Sequence, residues 1–268
     1  MDATALGSPN PNHDKRLYSA QRQQAILRAL ATTGRIDVAA RAEELSVTSE
    51  TVRKDLIALE RHGQLRRVHG GAIPLQDLSF EPEVSARIEY ADEKRRIARA
   101  ALDHLPQAGT ILIDAGSTTA RLADLIPPDR QLTAFTNTLP IALALANKAN
   151  VTVYTLGGRV RSRTLAEVDS WAARTLSEIN VDVAFLGTNA IAIDRGLTTP
   201  DPAEAAIKRL MISCARRRIL LSDHSKIGQV STYNYGALTD LDLLITDTGI
   251  TTTDEKALRA AGLAMEKT

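Results

Sequence analysis

Apolar residues recur with helical spacing in the first quarter of the chain. Spacings of three, four and seven residues place side chains on one face of an α-helix. They predict one helix over residues 19–32, a second capped by Asp37, and a third that is capped by Thr48 or Ser49 and ends near His62. Residues 1–14 show no such period and are expected to be a disordered tail. The apolar positions of the three helices are Ile26, Leu27, Leu30, Val38, Ala42, Leu45, Val52, Leu56 and Leu59.

The pattern changes from residue 91 onward, where short apolar runs alternate with helical stretches. Buried strands that alternate with helices indicate an α/β domain, in which helices cover both faces of a mostly parallel, Rossmann-like sheet. Residues 73–90 have no clean period and contain Pro74 and Pro82, which predicts a linker. The predicted division is a tail over 1–14, a first domain over 15–72, a linker over 73–90 and a second domain over 91–268. The predicted strands are 110–114, 131–136, 151–156, 182–187, 218–222 and 241–246, and the helices 93–105, 119–126, 139–147, 168–179, 203–215 and 253–261.

Three short helices followed by a basic, glycine-containing run are typical of a winged helix-turn-helix. In such domains the N-terminal end of the third helix contacts base edges in the major groove of double-stranded DNA. The polar residues at that end, away from the apolar face, are Thr48, Ser49, Glu50, Thr51, Arg53 and Lys54. In the predicted wing, Arg66, Arg67 and His69 would contact the phosphate backbone or a minor groove.

The charge distribution supports a polyanionic partner for the first domain only. Residues 15–72 hold eleven Lys and Arg against six Asp and Glu, whereas the whole chain has a net charge of +1. A single basic residue in this region would be an ordinary solvated side chain. The combination of three helices and a basic wing favours DNA binding.

Several loops of the second domain follow a predicted strand, and in open α/β sheets ligands bind at that end of the strands. Residues 114–119 also open a helix, whose N-terminus attracts anions, so they suggest a phosphate-binding loop. An ordinary capped turn is the alternative. Lys226 offers a point charge for a phosphate. Glu204 and Lys208 lie one helical turn apart and form either a surface salt bridge or a site for sugar hydroxyls. The candidate ligand-binding residues are Asp114, Gly116, Ser117, Thr118, Thr119, Asn137, Gly157, Gly158, Asn189, Glu204, Lys208 and Lys226.

Other functional classes find little support in the sequence. Asp223, His224 and Ser225 are adjacent, but adjacency does not assemble a catalytic triad. The five histidines and the single cysteine, Cys214, show no zinc spacing, and no metal or cofactor is expected. We find no secretory signal and no apolar run long enough to cross a membrane. A cytoplasmic protein without membrane contact is therefore expected.

Five segments of the chain together resemble the DeoR (DeoR/GlpR) family of bacterial transcriptional regulators. They are residues 48–56, 67–72, 113–119, 196–199 with Glu204-Ala205, and 222–226. The resemblance implies a repressor of a sugar catabolism operon with a C-terminal domain similar to ribose-5-phosphate isomerase. It also implies release from the operator by a phosphorylated sugar, and a homodimer or homotetramer. Asn137, Asn189, Glu204 and Lys208 would then contact the sugar hydroxyls.

The likeness to isomerases makes an enzyme the rival hypothesis. The segment Gly187-Thr188-Asn189-Ala190 has no carboxylate where isomerases of that fold carry an acidic segment, which argues against enediol chemistry. Residues 196–206 most resemble the fructose-operon branch and suggest fructose 1-phosphate as the effector. Glycerol 3-phosphate and other sugar phosphates remain alternatives, as does a regulator without an effector.

Overall fold

The structure, a computed structural model, describes residues 19–61, 64–68, 70–74, 78–79, 81, 83–84 and 87–268. The predicted tail over 1–14, the C-terminal end of the third helix at His62 and the wing residue His69 lie outside these residues. The chain forms two compact units that meet in sequence at Leu75 and Gln76.

The first unit contains three helices and a small antiparallel sheet. Helices α1 (Ser19–Thr33), α2 (Val38–Glu44) and α3 (Ser49–Arg61) have the predicted positions. Their buried faces pack together with Leu65 and Ala72 in one apolar cluster. Strands β1 (Ile36–Asp37), β2 (Arg66–Val68) and β3 (Gly71–Ile73) pair in the order β1-β3-β2. This confirms the predicted winged arrangement.

The second unit is organised around a seven-stranded sheet in which all neighbouring strands are parallel. This confirms the predicted α/β fold class. The strand order is β15-β14-β12-β9-β4-β5-β6. The strands are β4 (Ala108–Ile113), β5 (Gln131–Thr136), β6 (Val151–Thr155), β9 (Val181–Leu186), β12 (Ala215–Leu221), β14 (Leu243–Thr246) and β15 (Met265–Lys267).

Helices cover both faces of this sheet because alternate strand residues point to opposite sides. The helices are α4 (Ala91–Ala101), α5 (Ser117–Leu125), α6 (Leu139–Ala146), α7 (Asp169–Ser177), α8 (Pro202–Ser213) and α9 (Thr252–Ala260). Ile111 and Ile113 belong to the apolar cluster formed with α4, α5 and α6, whereas Leu112 belongs to the cluster formed with α7, α8 and α9.

Several short strands had no counterpart in the sequence prediction. A second, antiparallel sheet has the order β10-β11-β13, and β7 pairs with β8. Strands of two to four residues carry too few positions to show an alternating pattern, and β10 and β11 are buried along their whole length. The missed strands, besides β1 and β15, are β7 (Arg159–Val160), β8 (Glu167–Val168), β10 (Ala190–Ala192), β11 (Gly196–Thr199) and β13 (Tyr233–Gly236).

The segment predicted as a linker makes specific contacts. The Leu78 carbonyl accepts a hydrogen bond from the Thr232 amide, and the Val84 amide donates to the Arg163 carbonyl at 2.8 Å. The described part of this segment is therefore held by specific contacts, although its sequence shows no periodicity. Among the helices that the structure describes, none is long and apolar enough to cross a membrane.

Candidate functional site

The exposed N-terminal end of α3 carries the predicted DNA-binding side chains. Thr48 caps the helix: its Oγ1 accepts the Thr51 amide at 3.2 Å and lies 2.9 Å from the Thr51 hydroxyl. Glu50, Arg53 and Lys54 are exposed. Arg53 lies 3.6 Å from Glu50 in a solvent-exposed pair, which leaves its position weakly constrained. The end of the helix therefore presents one acidic and two basic side chains to solvent.

The opposite face of α3 holds the helix in place. Val52, Leu56 and Leu59 are buried, as predicted. Asp55 is buried as well, and its carboxylate accepts hydrogen bonds from Arg22 at 2.8 Å and from the Ser19 hydroxyl at 3.1 Å. The first unit thus uses a buried carboxylate on the recognition helix to attach α1.

The wing places its two described arginines in different environments. Arg66 is exposed. The Arg67 guanidinium donates to Glu60 at 2.5 Å, and the Arg67 amide donates to the same carboxylate at 2.9 Å. Glu60 therefore already holds the Arg67 guanidinium. At the turn, a Cβ on Gly71 would lie 1.7 Å from the Ile36 carbonyl oxygen, so only glycine permits this strand pairing.

A pocket in the second unit lies at the carboxyl ends of the neighbouring strands β12, β9, β4 and β5. The loops after these strands supply most of its wall, which agrees with the rule for open α/β sheets. Ten of the twelve predicted residues line it: Asp114, Gly116, Ser117, Thr118, Thr119, Asn137, Asn189, Glu204, Lys208 and Lys226.

Gly157 and Gly158 do not line this pocket, contrary to the sequence expectation. They follow β6, the edge strand, and form a tight turn with positive φ values of 76° and 107°. The Gly157 amide donates to Glu167 at 2.8 Å, and a Cβ on Gly158 would lie 2.4 Å from the Val168 carbonyl oxygen. These glycines permit close packing of the turn against β8.

Asp114 and Lys208 form a buried ion pair at the base of the pocket. Asp114 Oδ2 contacts Lys208 Nζ and accepts the Gly187 amide at 3.0 Å, while Lys208 Nζ also donates to the Gly187 carbonyl at 2.9 Å. Burial disfavours the Lys208 ammonium, but the Asp114 and Glu204 carboxylates outweigh burial and raise the pKa of Lys208 above its usual value. Lys208 is thus a charged anchor that joins α8 to the ends of β4 and β9.

Glu204 also has a tertiary partner. Its Oε1 accepts the Thr164 hydroxyl at 2.6 Å and the Arg161 guanidinium, and the side chain is 6% exposed. The pKa of Glu204 is lowered, because Lys208, Thr164 and Arg161 together outweigh the effect of burial. The surface i, i+4 salt bridge considered for Glu204 and Lys208 is therefore wrong, since both side chains are buried and pair with other elements.

Asn137 supports the loop after β4. Its Oδ1 accepts the Ala115 amide at 2.8 Å, and the residue is 2% exposed. This contact fixes the backbone just before the N-terminus of α5. The first amides of a helix have no partner within the helix, and the residues that carry them here, Ser117–Thr119, line the pocket.

The pocket wall also contains residues that sequence reasoning missed. Ser222 and Asp223 follow a strand, so the rule that located Asn137 and Asn189 could have found them. Arg87 and Lys94 precede the first strand of the sheet, and no local pattern marked them. The missed residues are Val84, Arg87, Lys94, Thr164, Leu221, Ser222 and Asp223.

Cationic side chains accumulate on one side of the pocket. Lys94 is 4% exposed, and its Nζ donates to the carbonyls of Arg87 and Glu89 at 3.0 and 2.7 Å. Burial lowers the pKa of Lys94 to about 8; Asp223 opposes this shift, and the nearby charges of Lys226, Arg121 and Arg87 add to it. This side of the pocket is therefore suited to an anion.

The adjacent residues Asp223, His224 and Ser225 do not form a triad. His224 Nδ1 lies 2.7 Å from Asp247, whereas the Ser225 hydroxyl donates to Asp223 at 2.5 Å. Burial would raise the pKa of Asp247, but the backbone amides of His224 and Gly249 and the His224 side chain lower it. These residues form two separate polar pairs. Within the described ranges, no group of three His, Cys, Asp or Glu side chains could hold a metal ion.

Comparisons with known proteins agree with this division of the chain. Residues 22–77 match the DeoR-like helix-turn-helix domain, and residues 89–248 match the DeoR C-terminal sensor domain. The HTH-type transcriptional regulator GlpR from Haloferax volcanii is 32% identical over 93% of this chain and 98% of its own length. The uncharacterized HTH-type transcriptional regulator YulB from Bacillus subtilis is 33% identical over 89% of this chain and 93% of its own length.

Among solved structures, ribose 5-phosphate isomerase A from Methanocaldococcus jannaschii matches 51% of this chain and 54% of its own chain. The identity is 16% and the TM-score 0.38. The sequence relatives over nearly the full chain are named as transcriptional regulators, and this chain is a regulator rather than an enzyme. With a DNA-binding helix-turn-helix unit and a sensor unit in one chain, the protein belongs to the DeoR family of transcriptional regulators.

Proposed function

We propose that this regulator is a repressor of a sugar catabolism operon, and that a phosphorylated sugar bound in the pocket of the second unit releases it from DNA. The observation that carries the proposal is the meeting of the α5 N-terminus with Lys226 and Lys94 in one pocket. Oriented amides and lysine ammonium groups are the usual protein ligands of phosphate.

The phosphate would bind at residues Gly116, Ser117, Thr118 and Thr119. These residues line the pocket at the start of α5, and Lys226 adds a charge from the loop after β12. The Asn137 contact to Ala115 keeps the loop in one conformation, which lowers the entropy lost when an anion binds.

The sugar of the effector would lie against the polar groups next to this phosphate position. Asn189, Thr164, Thr188 and Glu204 line that part of the wall. Asp114 Oδ1 is buried without a hydrogen-bond partner among the described residues, and it is an acceptor that a hydroxyl of a bound sugar would satisfy. Lys208 would act mainly by holding Asp114.

At the operator, Arg53 and Lys54 would contact bases together with Ser49 and Thr51, and Arg66 and Arg67 would contact the DNA backbone. Thr48 would serve as the cap, Glu50 would orient Arg53, and His69 stays a prediction from the sequence. Effector binding would shift the population away from the DNA-competent state, which requires different effector affinities in the two states. A homodimer or homotetramer would place two recognition helices on a two-fold symmetric operator.

Fructose 1-phosphate is the first effector to test, with glycerol 3-phosphate and inorganic phosphate beside it. A ligand that binds only the folded protein raises the free energy of unfolding, by about 2.7 kcal/mol at a hundred times its dissociation constant. A concentration-dependent rise in melting temperature with one sugar phosphate would identify it. Turnover of that compound would contradict the regulatory proposal.

Lys226→Ala tests the phosphate assignment. Loss of one charged contact should weaken effector binding by about tenfold or more. The operator affinity measured without effector should stay unchanged. Lys256→Ala is the control, because Lys256 is an exposed lysine on α9 outside the pocket. An effector response that Lys226→Ala leaves intact would remove Lys226 from the site.

A further inference from the structure

Residues 78–88 belong to neither of the two matched family domains, which cover 22–77 and 89–248. They nevertheless supply Val84 and Arg87 to the pocket wall. We name the described residues of this segment, Leu78, Ser79, Glu81, Glu83, Val84, Arg87 and Ile88, the strap. The strap directly follows the DNA-binding unit in the chain, which ends at Leu75.

Glu81 is the main attachment of the strap to the second unit. It is 3% exposed, and its Oε1 accepts Arg87 at 3.0 Å and the Asn189 side-chain amide at 3.2 Å. Its Oε2 accepts Arg161 at 2.9 Å. A buried carboxylate with two arginine partners is held strongly, and its attachment weakens when one partner is drawn away.

Backbone contacts complete the attachment. Arg163 Nη1 donates to the Glu81 carbonyl at 2.6 Å, and the Arg163 carbonyl accepts the Val84 amide at 2.8 Å. Lys94, itself a pocket residue, donates to the Arg87 carbonyl at 3.0 Å. The strap is therefore bound through groups that belong to the pocket or touch its wall.

Arg87 would have a second anionic partner available once the pocket is occupied by a phosphate compound. One is the Glu81 carboxylate, and the other is the anionic group at the α5 N-terminus and Lys226, which line the same pocket. The Arg87 side chain is 17% exposed, so either interaction is stronger than a surface pair. Movement of Arg87 toward a bound phosphate would weaken the Glu81 attachment.

We propose that Arg87 is an additional phosphate-binding residue and that the Glu81–Arg87 pair is the contact through which occupancy of the pocket loosens the strap. This rests on the proposed function, because it takes the ligand to be a phosphorylated compound. The inference adds to the proposed function the way in which occupancy of the pocket would be transmitted. The anion would be recognised by a residue of the chain segment that follows the DNA-binding unit in sequence. Asn189 and Arg161 connect the same carboxylate to the sugar side of the pocket.

The first test is a titration of the full-length protein with inorganic phosphate and with fructose 1-phosphate at constant ionic strength. Arg87→Gln should weaken the binding of both compounds by about tenfold or more, because a charge-assisted hydrogen bond to the phosphate is lost. Arg95→Gln is the matched control: Arg95 is 56% exposed on α4, pairs only at 3.5 Å with Asp92, and does not line the pocket. Equal phosphate affinity in the wild type and Arg87→Gln would overturn the assignment.

The second test is hydrogen exchange of peptides covering residues 78–90, with and without saturating phosphate. The wild type should exchange faster in this segment when phosphate is bound. Glu81→Gln should exchange fast in both conditions while still binding phosphate, because the variant removes the attachment and not the anion site. Unchanged exchange of the wild-type segment at saturation would overturn the coupling role.

The outcomes separate this inference from the proposed function. If neither phosphate compound stabilises the wild type, the anion site is absent and both proposals fail. If both bind the wild type and Arg87→Gln alike, the sensor proposal stands and only the role of the strap is lost.

Discussion

The recognition helix and the sensor pocket use charged side chains in opposite ways. At the N-terminal end of α3, Arg53 and Glu50 are each more than half exposed and lie 3.6 Å apart. At the base of the pocket, Lys208 and Asp114 are 6% and 1% exposed and in direct contact. The first pair is separated by three residues in sequence and the second by 94.

The difference shows what each charge is available for. An exposed side chain with a weak partner can exchange that partner for DNA at little cost. A buried ion pair cannot be exchanged, because removing one member leaves an unpaired charge in the interior. The exposed charges of α3 are therefore available to a partner, whereas Lys208 and Asp114 hold α8 against the ends of β4 and β9.

The largest expected effect comes from breaking the buried pair. Asp114→Asn leaves the Lys208 ammonium without its counter-charge and should lower the free energy of unfolding of the second unit by about 3–5 kcal/mol. Urea denaturation measures the loss. Glu178→Gln is the control, because Arg174 and Glu178 form an exposed pair, and it should leave stability unchanged. A fully stable Asp114→Asn protein would show that the pair is not the anchor described above.

A smaller loss is expected in the first unit, where a buried carboxylate attaches α1 to the recognition helix. Asp55→Ala removes the partner of Arg22, Ser19 and Gln23 and should cost about 1.5–3 kcal/mol, since Arg22 is partly exposed and regains solvent. Hydrogen exchange of the α3 amides reports this local stability. Glu50→Ala, on the exposed face of the same helix, should cost less, about 0.3–1 kcal/mol, because it removes only a favourable charge from the first turn.

Measurements of operator affinity should distinguish the roles of Arg53 and Arg67. Arg53→Ala should weaken specific binding by about 1–3 kcal/mol if Arg53 contacts a base. Arg67→Ala should cost less, because Glu60 already holds that guanidinium at 2.5 Å. Fluorescence anisotropy with operator and with unrelated DNA makes the comparison. Equal losses on both DNAs would assign Arg53 to the backbone instead.

The smallest expected effect is a dependence of the free energy of unfolding on pH, which Lys94 causes. Its pKa is about 8 in the folded protein and about 10.4 in an unfolded chain, so between these values the unfolded state binds more protons. The contribution of Lys94 to the free energy of unfolding should therefore rise with pH above 8, by up to about 1 kcal/mol between pH 8 and 9. Measuring the free energy of unfolding of the wild type and of Lys94→Met across this pH range isolates the contribution of Lys94 as the difference between the two proteins. A difference that does not change with pH would contradict the lowered pKa.

Sequence patterns located the carboxyl ends of the strands, and this was enough to find much of the pocket. Asp114, Asn137 and Asn189 each directly follow, or lie within three residues of, the end of a parallel strand, and all three line the pocket. The same rule failed for Gly157 and Gly158, because their strand, β6, lies at the edge of the sheet. The rule identifies strand ends but not the order of the strands, and only strands near the centre bring their loops to the pocket.

The sequence by itself determined the helices of the DNA-binding unit, the α/β class of the second unit and the polar end of α3. These depend on local spacing, which the chain displays directly. Only the tertiary structure decided that Lys208 pairs with Asp114, that Arg161 joins Glu81 to Glu204, and that Arg87 lies on the pocket wall. Those partners are far apart in sequence, and their choice depends on how strands and helices are ordered in space.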